Sequence, residues 1–110
     1  MTVPKYDINL RTNAKWTLVI SNISFSLADY TGKMQIYSTK NDLVLFELST
    51  DNGKIVIDDT NKTITLTLTT AEIALTTEKK GIYDFVLIKD NEGTVMLEGG
   101  VTITSGVTTI

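Results

Sequence analysis

The sequence predicts an all-β fold: an antiparallel, immunoglobulin-like β-sandwich of about seven to nine strands, with one short helical turn near residues 70–75. Three observations carry that expectation. Apolar and polar residues alternate with a period of two along most of the chain, which puts alternate side chains on opposite faces of a pleated strand. Threonine occurs nineteen times in 110 residues, and a β-branched side chain loses rotamer freedom in a helix but sits easily on a sheet. Turn signals such as Asp51-Asn52-Gly53 and Asp90-Asn91-Glu92-Gly93 recur at the spacing of short strands. A small barrel is the competing architecture.

Each element follows from the same pattern, within a single domain spanning residues 1–110. Tyr6, Ile8 and Leu10 alternate with Asp7, Asn9 and Arg11, giving an amino-terminal arm or edge strand within residues 1–12. Trp16, Leu18 and Ile20 share one face of the next strand. Met34 and Ile36 share a face after Gly32, with Lys33, Gln35 and Tyr37 on the other. Leu43 to Ser49 begins apolar on both sides, as in a strand covered on both faces or lying at an edge. Ile55 and Ile57 then lead through Asp58–Lys62 into Ile64, Leu66 and Leu68, the second arm of a hairpin. Thr63, Thr65, Thr67 and Thr69 face away from its core side. Gly53 supplies the positive backbone angle of the preceding reversal. Thr69 and Glu72 have capping-box spacing, so one or two helical turns are expected to join the two sheets, with Gly81 closing the segment. Tyr83, Phe85 and Leu87 point inward on a late strand, where sandwich folds place a tyrosine whose hydroxyl ties back to the chain. Gly99–Gly100 reads as a bulge re-aiming the last strand. Residues 105–110 form a carboxy-terminal tail.

Composition removes several functional classes. Cysteine and histidine are both absent, which takes away disulfides, thiolate chemistry, the usual base near neutral pH and the commonest metal ligand. The net charge of −3 with no basic cluster argues against nucleic-acid binding. No apolar run approaches the length of a membrane span or a signal peptide, so no membrane association is expected. The chain is expected to be made in a cytoplasm and kept there unless it leaves within an assembly.

Candidate chemistry is sparse. Asp58–Asp59 and Asp90–Glu92 are the acidic pairs near turns, but the glycine after Asn91-Glu92 comes two positions too early for a calcium loop of the EF-hand type, and adjacent carboxylates more often form turns. Lys79 and Lys80 are expected beside Gly81 on an exposed loop, where nothing sets up an amine to activate a nucleophile. No glycine-rich phosphate loop is present. The residues therefore indicate no catalytic side chain, no metal and no cofactor. The threonine face is left as a surface for ice, glycan, another subunit or plain solvent. Trp16 and Tyr83 follow the core periodicity.

The segments "ADYTGKMQIYS", "FELSTDNGKIVID", "KTITLTLTTAE", "GIYDFVLIKDNEGTVMLEGGVTIT" and "SGVT" together resemble a family of small proteins encoded by tailed bacteriophages and prophages. The resemblance runs in order from about Trp16 to Thr108. Tyr37–Ser38, where a basic residue is common, and "GVTIT", without an acidic flank, depart from the family pattern. The resemblance implies a sandwich-like virion structural protein, similar in style to the amino-terminal domains of siphophage upper baseplate proteins. It implies an adaptor that docks on tail, baseplate, neck or fibre proteins, as a homo-oligomer within a symmetric assembly. A capsid decoration protein or a glycan-binding adhesion module are the alternatives. The candidate interface residues are Tyr6, Ile8 and Leu10 on the arm, which can add a strand to a neighbour as easily as to its own sheet, and Thr63, Thr65 and Thr67 on the hydroxylated face. Deleting residues 1–12 is then expected to abolish assembly and leave a folded sandwich.

Overall fold

The computed structural model describes residues 4–107. Residues 1–3 of the expected arm and 108–110 of the expected tail lie outside the described residues. Eight strands and one helix are described, in chain order β1 (Ile8–Arg11), β2 (Trp16–Ile20), β3 (Thr31–Ser38), β4 (Leu43–Ser49), β5 (Ile55–Asp58), β6 (Thr63–Leu68), α1 (Thr70–Ala74), β7 (Lys80–Lys89) and β8 (Glu92–Thr104). They form two layers: a five-stranded sheet of order β1-β8-β7-β3-β4 and a three-stranded sheet of order β2-β6-β5. The chain crosses between layers at β1–β2, β2–β3, β4–β5 and β6–β7, as in an immunoglobulin-like sandwich, and the first strand lies on the last.

The sandwich is not wholly antiparallel. β1 runs parallel to β8, with Ile8 opposite Val101 and Leu10 opposite Ile103. Local alternation cannot reveal this, because β1 pairs with a strand more than ninety residues away and then crosses to the other layer. Parity of the register matters: each inward residue of β1 meets an inward residue of β8, so the oily row stays continuous.

The inward rows make one core. Met34, Ile36, Phe46, Leu48, Phe85 and Leu87 come from the larger sheet and Ile55, Ile64, Leu66 and Leu68 from the smaller, all buried. Leu27 from the β2–β3 connection and Ile73 from α1 are also buried in it. Each such side chain contributes about 1.5–3 kcal/mol relative to exposure.

Turn chemistry matches turn geometry. Asp90 (φ 55°) and Asn91 (φ 64°) are the two left-handed residues between paired Lys89 and Glu92, the two-residue hairpin turn that suits twisted strands. Gly53 has φ 79° in the reversal after β4. The helix spans residues 70–74 and joins the two sheets as expected. Its capping box is complete: the Glu72 N–H donates to Thr69 Oγ1 at 3.2 Å and the Thr69 N–H donates to Glu72 Oε1 at 3.1 Å.

Two expectations about glycine are corrected. Gly81 does not close the helix; it lies within β7, opposite Val101. A Cβ there would stand 2.7 Å from the Tyr37 carbonyl oxygen, so close strand approach explains it. Gly99 and Gly100 are not a bulge, since they pair in register with Tyr83 and Ile82. The irregularity falls earlier, where Phe85 pairs with Leu97 and Val86 with Val95, leaving Met96 as the extra residue. Gly99 instead makes room for the incoming amino-terminal segment: a Cβ on it would collide with the Tyr6 carbonyl.

Candidate interaction surfaces

The amino-terminal segment is fastened to its own sheet. Ile8 and Leu10 are 2% and 0% exposed. The Tyr83 hydroxyl donates to the Tyr6 carbonyl at 2.5 Å, the Gly100 N–H donates to Asp7 Oδ1 at 3.0 Å, and the Gly106 N–H donates to Thr12 Oγ1 at 2.9 Å. The tyrosine tie read from the sequence is present, with its partner 77 residues upstream. Burial first, then the proximity of Tyr6 and Asp7, pushes the Tyr83 phenol up to about 12. Of the three arm residues proposed as interface, only Tyr6 remains exposed; Ile8 and Leu10 belong to the chain's own core. Of the two alternatives, arm or edge strand, the segment forms the edge strand β1 on its own sheet, and the expectation that Ile8 and Leu10 are interface residues is corrected by their burial.

The hydroxylated face is where the alternation places it. Thr63, Thr65 and Thr67 project outward from β6, the middle strand of the smaller sheet, and are half-buried between its neighbours. Across the sheet Thr17 stands opposite Thr67, Val19 opposite Thr65, Val56 opposite Thr65, and Asp58 opposite Thr63. The central row is thus Val19–Thr65–Val56, with Val19 55% and Val56 57% exposed. These valines and Thr17 were not singled out from the sequence. Their signal was there, as the second and fourth residues of "WTLVI" and the middle residue of "IVI", but a lone outward valine has no meaning until its cross-strand neighbours are known.

The carboxylates near turns serve the backbone. Asp58 accepts from the Asn61 side-chain amide at 2.8 Å and the Asn61 N–H at 3.1 Å, and these bonds hold its carboxyl below the usual range. Asp59 accepts from Lys62 Nζ at 2.6 Å and from the Leu27 N–H at 2.7 Å; the lysine first and the amide second lower its carboxyl too. That pair ties the β2–β3 connection, with Leu27 in the core, to the β5–β6 turn. Among the described residues no group of three or more acidic side chains is placed to hold a metal ion. A depression of about 550 Å³ on the outer face of the larger sheet is lined by Gln35, Tyr37, Ile82, Asp84 and Glu98, with Tyr37 beside exposed Ile82 and no deep enclosure.

Four strands border the sandwich, and they differ in how their free edges are treated. β1 carries Asp7 before it and Arg11 at its end. β4 is irregular at Leu45, carries Glu47 paired with Lys33 at 3.2 Å, and is capped by Asn52. The Asn52 amide donates to the Glu47 carbonyl at 2.9 Å and its Oδ1 accepts from the Ser49 N–H at 3.0 Å, standing in for an added strand. β5 has four residues, flanked by Lys54 and ending in Asp58. β2 is preceded by Lys15, but within the strand Trp16-Thr17-Leu18-Val19-Ile20 contains no charge, proline or glycine and pairs with β6 without irregularity. Such edges are what proteins ordinarily blunt with charge, bulges or caps. Compared with known proteins, the chain matches no family model and no curated protein.

Proposed function

We propose that this chain is a non-enzymatic structural protein of a bacteriophage virion, an adaptor of the tail, baseplate or neck region that works through protein–protein contacts. One observation carries the reading: the smaller sheet presents an uncharged outer row of exposed Val19 and Val56 around Thr65, bordered by an unblunted edge strand. Surfaces of this kind are suited to docking rather than to chemistry. The acids whose carboxyls lie below their usual range, Asp58, Asp59 and Glu72, hold backbone amides and lysines and are thereby committed to structure. The ordered strand motifs that resemble phage virion proteins supply the particle as the setting. A glycan-binding role has less support, because of the two tyrosines lining the depression on the larger sheet Tyr83 is buried and bonded to the Tyr6 carbonyl, which leaves Tyr37 as the accessible ring where a sugar platform uses several.

Mass spectrometry of purified particles from a phage or induced prophage encoding this chain is expected to find it in stoichiometric amount. Labelled antibody is expected to decorate the tail region in electron micrographs. Label over the shell reassigns the chain to capsid decoration, and absence from particles overturns the reading.

A further inference from the structure

We propose that the free edge of β2 is a self-pairing surface: two copies of this chain join β2 to β2 antiparallel about a twofold axis through Leu18, fusing their smaller sheets into one of six strands. The inference rests on the reading of the chain as a protein that works by contact, and names the partner and the place.

Backbone bonding indicates which groups are available. The Thr67 N–H donates to the Lys54 carbonyl at 3.0 Å, and antiparallel strands alternate between bonded and non-bonded pairs. Thr63, Thr65 and Thr67 therefore bond toward β5, and Ile64, Leu66 and Leu68 bond toward β2. Their partners Ile20, Leu18 and Trp16 are committed to β6. Thr17 and Val19 consequently aim their N–H and C=O groups at the vacant edge, where no strand pairs among the described residues.

A second copy fits that edge. About an axis at Leu18, Trp16 faces Ile20 of the partner, Leu18 faces Leu18, and Thr17 faces Val19. The two residues with unspent backbone groups thus meet each other as a bonded pair, and all five residues of the strand are used. Parity is preserved, so Trp16, Leu18 and Ile20 of both copies remain on the inner face and Thr17 and Val19 on the outer. Those inner residues are only partly buried in the single chain although they point toward the core, and an added strand is what would cover them. Charge permits the match as well. Lys15 falls opposite Ser21, so no like charges oppose one another along the pair. The outer row extends to Val56–Thr65–Val19 beside Thr17–Thr67, a flat strip running across both copies.

The other three edges lack this match: β1 and β5 carry a charge within the strand, at Arg11 and Asp58, and Asn52 already occupies backbone groups of β4. A joint of one five-residue strand is well below the roughly 800 Å² per partner of a stable dimer, so the association is concentration-dependent and is consolidated in an assembly that repeats it.

Sedimentation velocity of the full chain over a roughly hundredfold dilution series is expected to show reversible monomer–dimer exchange. Amide exchange followed by NMR supplies the residue-level readout. Thr17 and Val19 amides are expected to exchange freely when dilute and to become protected when concentrated, while Leu18 is protected throughout. Thr17→Pro removes one outward donor and Val19→Lys places a charge on an exposed position; each is expected to weaken dimerisation at least ~10-fold with an unchanged circular dichroism spectrum. If Thr17→Pro perturbs the fold, Val19→Lys alone decides. A strictly monomeric chain, dimers indifferent to Val19→Lys, or protection appearing at another strand overturns the proposal. A monomer found in purified particles removes this joint and leaves the virion reading standing; a β2-joined dimer absent from particles does the reverse.

Discussion

At the scale of single residues, one hydroxyl and one missing side chain fasten the ends of the molecule together. Gly99 leaves the space that the Tyr6 carbonyl enters, and the Tyr83 hydroxyl donates to that carbonyl at 2.5 Å. Neither acts alone: with a Cβ at position 99 the carbonyl could not approach, and without the phenol it would lose its donor. Tyr83→Phe keeps the ring and deletes the donor, so it is expected to cost about 1 kcal/mol, seen as a lower urea midpoint with an unchanged slope. The pH dependence has a definite sign. Burial raises the Tyr83 phenol from 10.0 to about 12, so the folded chain holds the proton more tightly than the unfolded one. That contribution to stability is complete below pH 10 and is lost as pH rises toward 12. In Tyr83→Phe this portion of the alkaline limb is expected to vanish. An alkaline limb unchanged by the substitution would assign the loss to other groups.

At the scale of elements, the short helix shows how little propensity is needed when the ends are satisfied. Five residues, Thr70–Ala74, are too few to be helical alone, and packing of Ile73 with the Thr69–Glu72 box holds them. Thr69→Ala is expected to cost about 1 kcal/mol, measured by chemical denaturation. Burial raises the Glu72 carboxyl, but bonds from the Thr69 N–H, Lys54 and the Thr69 hydroxyl outweigh it and leave it below 4.5. Its stabilisation is present above that ordinary value and fades as pH falls through the lowered one, so Thr69→Ala should also shallow the acid limb. This helix was legible because a cap is a local pattern of two residues three apart. The strands were legible for the same reason, since alternation at Met34 and Ile36 or at Ile64, Leu66 and Leu68 is read from neighbours. What escaped is non-local. The parallel pairing of β1 depends on both β1 and β8, and Gly81 and Gly99 are explained by the distant carbonyls of Tyr37 and Tyr6. The bulge at Met96 follows from the fit of β8 to β7, which the Gly99–Gly100 pair does not reveal. The candidate surface divides likewise: Thr63, Thr65 and Thr67 face outward as alternation demands, whereas Ile8 and Leu10 look the same in an arm and in a core strand.

At the scale of the whole molecule, five strands lie over three, and the amino-terminal strand belongs to the larger layer. That placement decides what truncation does. Were residues 1–12 an appendage, their removal would spare the sandwich. Instead it withdraws Ile8 and Leu10, two fully buried side chains worth about 1.5–3 kcal/mol each. It strips the parallel ladder from β8, exposes Val101 and Ile103 along a bare edge, and takes the Tyr6 carbonyl away from Tyr83. A loss of about 3–6 kcal/mol from the two side chains alone stands against a total of about 5–15 kcal/mol for a typical domain. The chain lacking residues 1–12 is therefore expected to melt on the order of 15 °C or more below the full chain, and to bind a hydrophobic dye at temperatures where the full chain does not. Calorimetry of the two forms checks this. A truncated chain that melts within a few degrees of the full one would mean that β1 is dispensable to the core, and the arm would again be free to join a neighbour. If the truncated chain is unstable as expected, its failure to assemble says nothing about contacts. Interface claims for this protein then have to be tested on outward positions such as Val19 and Val56, where a substitution leaves the core intact.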